Sequence, residues 1–300
     1  MIVESIPNFS EGRNTEVIDM IAGAFSSAAG CSLLDVKPDK DHNRTVFTII
    51  GSPEGVKKGL IDAMSVACDK IDMNVHKGEH PRLGACDVVP FVPISGITMK
   101  ECIELSREFA QDVWDKLQIP VYFYEESALC PERRNLADIR KGEYELLKEE
   151  IGLPARKPDV GEPRLHPTAG AVVIGARQPL IAYNVNLSTS DIKIAKAIAK
   201  RMRAKTGGFT FVKALGVMLS ERNIAQVSMN LTDFSKTAVY SVFEAVKTEA
   251  ARYGVTAVGS EIIGMIPLEA IAEAARYYLR LENFETSQIL ETNLLNSGKN

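Results

Sequence analysis

The first half of the chain alternates between two spacings of its hydrophobic positions. Apolar side chains at every second position predict half-buried strands, and apolar side chains three and four positions apart predict amphipathic helices. Helix signals accompany the second pattern, with Gly30 after the first helix, Pro53 at the start of the second and Thr98 before the third. The pattern predicts strands over residues 2–9, 32–36, 45–50, 87–94 and 121–124, and helices over 14–29, from 53 to 71 and from 98 to 117.

The same order of elements returns after Pro179. Strands are predicted over residues 180–187, 211–219, 224–232 and 255–259, and helices over 191–205, 238–253 and 267–281. Residues 154–167 separate the halves and contain Pro154, Pro158, Gly161, Pro163 and Pro167, which is typical of a connector. Each half therefore has the order β-α-β-β-α-β. This order predicts an α+β protein of two tandem ferredoxin-like units, 1–178 and 179–300, each a mostly antiparallel sheet with helices on one face.

Two strands of the second half carry an uncharged polar face. Side chains alternate along a strand, so the apolar positions of 181–187 and 224–231 face the helices and the remaining ones face away. The outward positions include Asn184, Asn186, Gln226, Ser228 and Asn230. Amide and hydroxyl groups supply directional hydrogen bonds, which favours a surface that lines a ligand. An ordinary solvent-exposed face and a dimer contact are the alternatives.

Composition narrows the possible classes of protein. The 300 residues include 35 Lys+Arg and 39 Asp+Glu, a net charge of -4, which argues against a protein held to nucleic acid by phosphate contacts. No apolar run is long enough to span a bilayer, and the first nine residues lack the basic start of a signal peptide. The 5 cysteines are odd in number and form no C-x-x-C pair, so we expect reduced thiols in a cytoplasmic protein.

Groups that move protons or bind anions are concentrated in residues 74–85. The cluster contains His76, Lys77, Glu79, His80 and Arg82. The string His-x-x-Glu-His also occurs in zinc proteases, where both imidazoles lie on one face of a helix. Gly78 inside the string and Pro81 after it oppose a helix, so we expect a loop and no metal site. The loop is either a plain connection or a functional loop on a rigid scaffold, and its chemistry favours the second.

Four segments together resemble one known family. They are residues 3–12 (VESIPNFSEG), 43–46 (NRTV), 78–85 (GEHPRLGA) and 225–231 (AQVSMNL). The chain is similar in these segments, and in their order, to glutamate formimidoyltransferase. In animal members this region is followed by a cyclodeaminase domain, for which this sequence has no counterpart.

The resemblance implies a fold and a set of ligands. It implies two ferredoxin-like subdomains with facing sheets and outer helices, a tunnel for tetrahydrofolate between them, and a homodimer. Tetrahydrofolate would be a co-substrate, and no metal is implied. The folate-binding stretch of the family falls on Gly161, Glu162, Pro163, Arg164, Leu165, His166, Pro167, Thr168, Ala169 and Gly170.

The resemblance also implies a reaction, which belongs to histidine degradation and one-carbon metabolism. A formimino group would move from N-formimidoyl-L-glutamate to tetrahydrofolate, with His80 as general acid and base. Glu79 would orient or tune His80, and Arg82 would hold a substrate carboxylate. The substrate-binding set also includes Asn8, Asn43 and Arg44, together with Asn184, Asn186, Gln226, Ser228 and Asn230. Formyl transfer between 5-formyltetrahydrofolate and glutamate, and a non-catalytic folate-binding dimer, are the alternatives.

Overall fold

A computed structural model describes residues 1–297. Contacts within the chain divide it into two compact units, Met1–Gln178 and Pro179–Asn300. The elements of the first unit are β1 (Ile2–Ser5), β2 (Asn8–Phe9), α1 (Thr15–Ser27), β3 (Cys31–Asp39), β4 (Arg44–Gly51), α2 (Pro53–Lys70), β5 (Cys86–Ser95), α3 (Met99–Leu117), β6 (Val121–Glu125), α4 (Leu136–Ile139), α5 (Glu143–Glu150) and β7 (Val172–Ala176).

The sheet of the first unit contains a ferredoxin-like core. β1 and β2 follow each other along one line between β4 and β5, and β3 pairs with the other edge of β4. These pairings are antiparallel, as the sequence predicts. Phe9 and Phe47 project to the side of α1, where Phe25 meets both rings, with centroids 6.1 and 5.5 Å away. The alternation of each strand therefore gives this face its apolar core.

The first unit extends beyond this core in a way that the sequence analysis did not predict. β7 lies between β5 and β6 and is parallel to both. The segment from β6 to β7 contributes α4 and α5, whose Ile139 and Leu147 form a separate apolar cluster with Val88 and Val173. These strand residues alternate with those under α1 to α3, so the two short helices cover part of the opposite face. The helices of this unit are thus not confined to one face.

The second unit is a four-stranded antiparallel sheet. Its elements are β8 (Ile181–Leu187), α6 (Ile192–Met202), β9 (Val212–Leu219), β10 (Ile224–Leu231), α7 (Val239–Ala251), β11 (Ala257–Ile263), α8 (Leu268–Leu279) and α9 (Leu290–Ser297). The strand order β11-β8-β10-β9 is the ferredoxin-like order. Val185 and Val227 are fully buried in one core with Ile198 of α6 and Val246 of α7. The predicted apolar face is confirmed. β11 runs further than the sequence indicated because a register irregularity near Gly259 interrupts its pattern.

The helices begin where the sequence places capping residues. Ser52 precedes Pro53, and its hydroxyl accepts a hydrogen bond from the Gly55 amide at 3.1 Å. Thr98 and Glu101 form a reciprocal capping box at the start of α3. Among residues 1–297 no helix has both the length and the apolar character that a membrane span requires.

Candidate functional site

The segment from Ile71 to Ala85 lies outside the helices and strands, so the predicted loop is confirmed. It packs tightly on the turn between β3 and β4. A Cβ atom on Gly78 would lie 2.3 Å from the carbonyl oxygen of His42, which only glycine avoids. We call residues 72–84 the histidine loop.

Asn43 joins the histidine loop to two other segments. It has a φ of 48° in the turn, a conformation that asparagine tolerates better than most residues. Its Nδ2 donates to the carbonyl of Lys77 at 2.9 Å, and its Oδ1 accepts from the amide of Gly12 at 3.0 Å. Both ends of this predicted substrate-binding side chain are therefore used to hold backbone, and Asn43 braces the site.

His76 is fixed by hydrogen bonds on both sides of its ring. Nε2 lies 3.0 Å from the carbonyl oxygen of Asn43, and Nδ1 accepts from Nε of Arg82 at 3.3 Å. The ring is therefore the Nε2–H tautomer, and burial lowers its pKa. Within residues 1–297 no group of three or more His, Cys, Asp and Glu residues is arranged to hold a metal ion.

Arg82 is buried and anchors the histidine loop to α5. Its two terminal nitrogens donate to Glu143 at 2.6 Å and to Glu145 at 2.7 and 3.0 Å, and one of them also donates to the His76 carbonyl at 3.1 Å. Its Nε bonds His76, so every nitrogen of the guanidinium is engaged. This arrangement leaves Arg82 no donor for the substrate carboxylate that the sequence analysis assigned to it. Neither glutamate was predicted, because nothing in the sequence links positions 82 and 143.

His80 is 8% exposed and is the most perturbed histidine of the loop. Burial lowers its pKa to about 3, and the positive charges of Arg44 and Arg140 act in the same direction. The imidazole is therefore neutral near pH 7 and has a free lone pair for a proton. No hydrogen bond to this ring is found among the described residues. The carboxylate of Glu79 is exposed and does not bond His80 in this arrangement.

Two arginines stand beside His80. Arg44 begins β4 and donates to Asn8 of β2 at 3.4 Å, so the structure brings these two predicted residues together. Arg140, at the end of α4, pairs with Asp87, which is 1% exposed and accepts a second bond from the Leu83 amide at 2.7 Å. Arg140 was missed by the sequence analysis, since it stands in a segment to which no element was assigned.

The predicted folate-binding stretch, residues 161–170, lies along the ends of the histidine loop. The Met73 amide donates to the Thr168 carbonyl at 2.8 Å, and the Ala85 amide donates to the Ala169 carbonyl at 2.9 Å. The stretch ends in a turn that is closed by Nδ1 of His166, which accepts from the Ala169 amide at 3.0 Å. The structure thus places this end of the stretch against the loop that carries His80.

The other end of the stretch is exposed. Gly161, Glu162, Pro163 and Arg164 lie at the surface, with the guanidinium of Arg164 5.9 Å from the ring of Trp114 on α3. Arg164 also pairs with Glu162 at 2.7 Å. Leu165 is half-buried in the adjoining apolar clusters, Pro167 is exposed and Gly170 is buried.

The polar face of the second unit is a hydrogen-bonded network. Gln226 Nε2 donates to Asn186 Oδ1 at 2.8 Å and to Glu261 Oε1 at 2.7 Å, and Asn184 donates to the same oxygen at 3.2 Å. The two asparagines and Gln226 are buried. Glu261 is the residue that sequence reasoning missed, because the predicted strand ended before it. The face is therefore not uncharged, since it contains a carboxylate.

The rest of this face grades from half-buried to exposed. Ser228 is half-buried, and Asn230 is exposed. The neighbouring strand β9 places Leu215 opposite Ser228 and Lys213 opposite Asn230. Leu215 is 63% exposed, so an apolar surface adjoins the amide network.

Comparison with known proteins identifies relatives along nearly the whole chain. Residues 2–177 match the N-terminal subdomain of the formiminotransferase domain, and residues 182–295 match the formiminotransferase domain. The chain is 49% identical to glutamate formimidoyltransferase of Streptococcus pyogenes serotype M1, covering 98% of this chain and 99% of the relative. It is 47% identical to glutamate formimidoyltransferase of Thermoplasma acidophilum, covering 97% and 96%. It is 45% identical to formimidoyltransferase-cyclodeaminase of Mus musculus, covering 92% of this chain and 52% of the relative.

Proposed function

Because the chain belongs to the formiminotransferase domain family, we propose that it transfers the formimino group of N-formimidoyl-L-glutamate to tetrahydrofolate. The observation that carries this proposal is the similarity to two glutamate formimidoyltransferases over almost the full length of both partners. A buried neutral imidazole in the histidine loop supports the assignment.

The reaction requires the transfer of a proton from N5 of tetrahydrofolate to the leaving nitrogen of glutamate. N5 of tetrahydrofolate attacks the amidine carbon, whose π electrons move to nitrogen, and a tetrahedral intermediate forms. The bond from this carbon to the glutamate nitrogen then breaks, and that nitrogen leaves as an amine. The proton lost from N5 must reach the leaving nitrogen, so one group that accepts and returns a proton serves both steps.

His80 is the residue that we assign to this transfer. Its neutral ring can accept the N5 proton, and the protonated ring is a strong acid toward the leaving nitrogen because its burial disfavours the charge. Glu79 is exposed and does not bond His80, so we no longer assign it the orientation of the ring. Its remaining role in the proposal is to contribute a negative charge to the loop. Neither step transfers electrons to the protein.

Tetrahydrofolate has a ring edge with several N–H donors and a neighbouring carbonyl. The polar face of the second unit offers a matching set, with the Glu261 carboxylate as acceptor and the amides of Asn184, Asn186 and Gln226 beside it. The exposed side chain of Leu215 adds apolar area for the ring itself. We propose that this face, together with Ser228 and Asn230, contacts tetrahydrofolate, and residues 161–170 of the first unit stay a separate prediction from the family resemblance.

Cysteine usage supports a reducing compartment. All five cysteines are free, and three of them, Cys31, Cys86 and Cys102, are buried. We therefore retain the cytoplasm as the proposed location. The homodimer that the family resemblance implies stays a prediction, which sedimentation of the purified protein tests.

The decisive experiment supplies the protein with N-formimidoyl-L-glutamate and tetrahydrofolate and measures the formation of 5-formimidoyltetrahydrofolate. Parallel reactions contain N-formyl-L-glutamate as donor, or no protein. We expect turnover with the formimino donor, and a much lower rate with the formyl donor. Absence of turnover in the presence of tight tetrahydrofolate binding would replace the proposal with a non-catalytic folate-binding protein, and faster formyl transfer would replace the donor.

A further inference from the structure

The two arginines beside His80 have hydrogen-bond donors that the protein does not use. Within residues 1–297, Arg44 bonds through one terminal nitrogen, to Asn8 at 3.4 Å, and Arg140 through one terminal nitrogen, to Asp87. In both, Nε is buried without a partner among the described residues. Since a guanidinium has five N–H donors, each retains unused capacity at its other terminal nitrogen. Arg82, whose nitrogens are all bonded, is the contrast within the same region.

Two carboxylates, Asp39 and Asp87, and two guanidiniums lie close enough to act on one another here. Burial lowers the pKa of Arg44, and the positive charge of Arg140 acts in the same direction, so the two guanidiniums lie near enough to repel each other. Asp87 is the buried carboxylate that acts on both. Asp39 has the largest Coulombic effect on Arg44 and raises the pKa of its guanidinium, while its own carboxylate is partly exposed and bonded to His42 at 2.7 Å. The donors that stay unused on both guanidiniums, rather than an excess of positive charge, favour the binding of a further anion.

From this arrangement we infer that Arg44 and Arg140 form a carboxylate-binding site beside His80 that takes a carboxylate of the amino-acid substrate. The identity of that substrate rests on the proposed function, whereas the site itself rests on the two arginines. Planar carboxylates fit the fork of a guanidinium, and two guanidiniums from β4 and the end of α4 would fix the position of the bound group. They would orient the substrate's reacting nitrogen relative to the imidazole.

A carboxylate bound here would also change His80. The charged and titratable groups that act on its ring are Arg44, Arg140 and His42, which oppose protonation, and Asp39, which favours it. Burial, the largest cause of the low pKa, persists in the complex, but a bound anion offsets the two arginines, so the pKa of His80 rises above its free value of about 3. The imidazole then becomes a better proton acceptor when the substrate is in place than in the free protein.

The test is the binding of N-acetyl-L-glutamate, an unreactive dianion, measured by calorimetry against its neutral diamide. Arg44→Gln removes one guanidinium without stranding a buried acid. Arg140→Gln is combined with Asp87→Asn, because the single change would leave Asp87 buried without its partner. Arg107→Gln, an exposed arginine on α3, is the control that makes the same change of net charge. Thermal melting verifies that each variant is folded.

We expect affinity for the dianion to fall by about tenfold to a hundredfold in Arg44→Gln and in the double variant, as for a lost charge-assisted hydrogen bond. Arg107→Gln should bind like the parent, Arg44→Lys should recover part of the affinity, and the diamide should bind weakly to all. NMR of the His80 ring should show its pKa rising when the dianion binds to the parent protein. In Arg44→Gln the free-state pKa should be higher than in the parent, because one of the positive charges that lower it is gone, and the rise on dianion binding should be smaller than in the parent.

Two binding results overturn this inference. One is a folded Arg44→Gln that binds the dianion like the parent, and the other is equal binding of dianion and diamide. Failure of the proposed function gives a different pattern, in which formimino transfer is absent while the dianion still binds through Arg44. Turnover with an unchanged KM in both arginine variants would instead retain the proposed function and place the amino-acid carboxylate elsewhere.

Discussion

The buried neutral His80 should make the first unit sensitive to acid. A histidine in an unfolded chain has a pKa near 6.5, whereas burial lowers the pKa of His80 to about 3. Between these values the unfolded state binds a proton that the folded state does not bind. The free energy of unfolding therefore falls as the pH falls from about 6.5 toward 3, and it is unaffected by this group above about pH 7.5.

The magnitude follows from the two pKa values. At pH 5 the unfolded histidine is almost fully protonated and His80 is not, which corresponds to a loss of about 2 kcal/mol relative to pH 7.5. His80→Gln removes the titrating group and retains a polar side chain. The loss of stability between pH 7.5 and pH 5 should therefore be smaller in this variant by about that amount.

The chain contains a convenient reporter for this measurement. Trp114 is the single tryptophan of the sequence and lies on α3, in the same unit as His80. Urea titrations followed by tryptophan fluorescence at pH 7.5 and 5.0 thus report on the unit that contains the group. His42→Gln is the control, because His42 is exposed in the turn between β3 and β4 and its removal leaves the buried imidazole in place.

The reasoning is refuted if parent and His80→Gln lose the same stability between the two pH values. That result would mean that His80 is protonated in the folded state at pH 5. It would also remove the basis for a neutral imidazole as the proton carrier in the free protein. An equal reduction of the acid effect in His42→Gln would assign the effect to the turn instead.

Three further predictions concern catalysis, the polar face and the packing of the histidine loop. His80→Ala should reduce turnover by about a hundredfold to ten-thousandfold while tetrahydrofolate binding is retained; near-normal steady-state rates would exclude it as the proton carrier. Asn230→Leu, at an exposed position of the polar face, should weaken tetrahydrofolate binding by about 0.5–1.5 kcal/mol with an unchanged melting temperature. Val185→Asp, at a fully buried position, should instead prevent folding of the second unit. If Asn230→Leu binds tetrahydrofolate as tightly as the parent, the face is an ordinary solvent-exposed surface. Gly78→Ala should lower the melting temperature and turnover together, because its Cβ would meet the His42 carbonyl; a crystal structure of a fully active variant with an unmoved loop would contradict this.

Local patterns predicted the ferredoxin-like core because its elements carry their own signals. Alternation defined the buried and polar faces of β8 and β10, and Gly78 with Pro81 predicted the histidine loop. The features that the sequence analysis did not predict depend on contacts between residues that are distant in sequence. Arg82 is bonded by glutamates of α5, which lie about sixty positions later in the chain. No periodicity reveals such a partner, and the motif that contains Arg82 does not distinguish an anchor from a ligand-binding residue.

Arg140 and Glu261 were missed for a related reason. Arg140 follows a helix of four residues, which is too short to give a periodic signal. Glu261 lies on a strand whose exposed residues and Gly259 obscure the alternation. The role of each residue depends on partners that are distant in sequence. Arg140 pairs with Asp87, and Glu261 accepts hydrogen bonds from Asn184 and Gln226.

The position of β7 has a consequence for the order of events during synthesis. The strands β1 to β5 can form their antiparallel sheet from the first 95 residues, because all of their partners are within that stretch. The histidine loop, in contrast, is held by Arg82 contacts to α5 and by backbone bonds to residues 168 and 169. These partners leave the ribosome only when the segment before β7 has been made. A nascent chain would therefore fold the sheet of β1 to β5 first and order the histidine loop last. A chain stalled between β6 and β7 would contain a folded sheet but no ordered His80 for proton transfer.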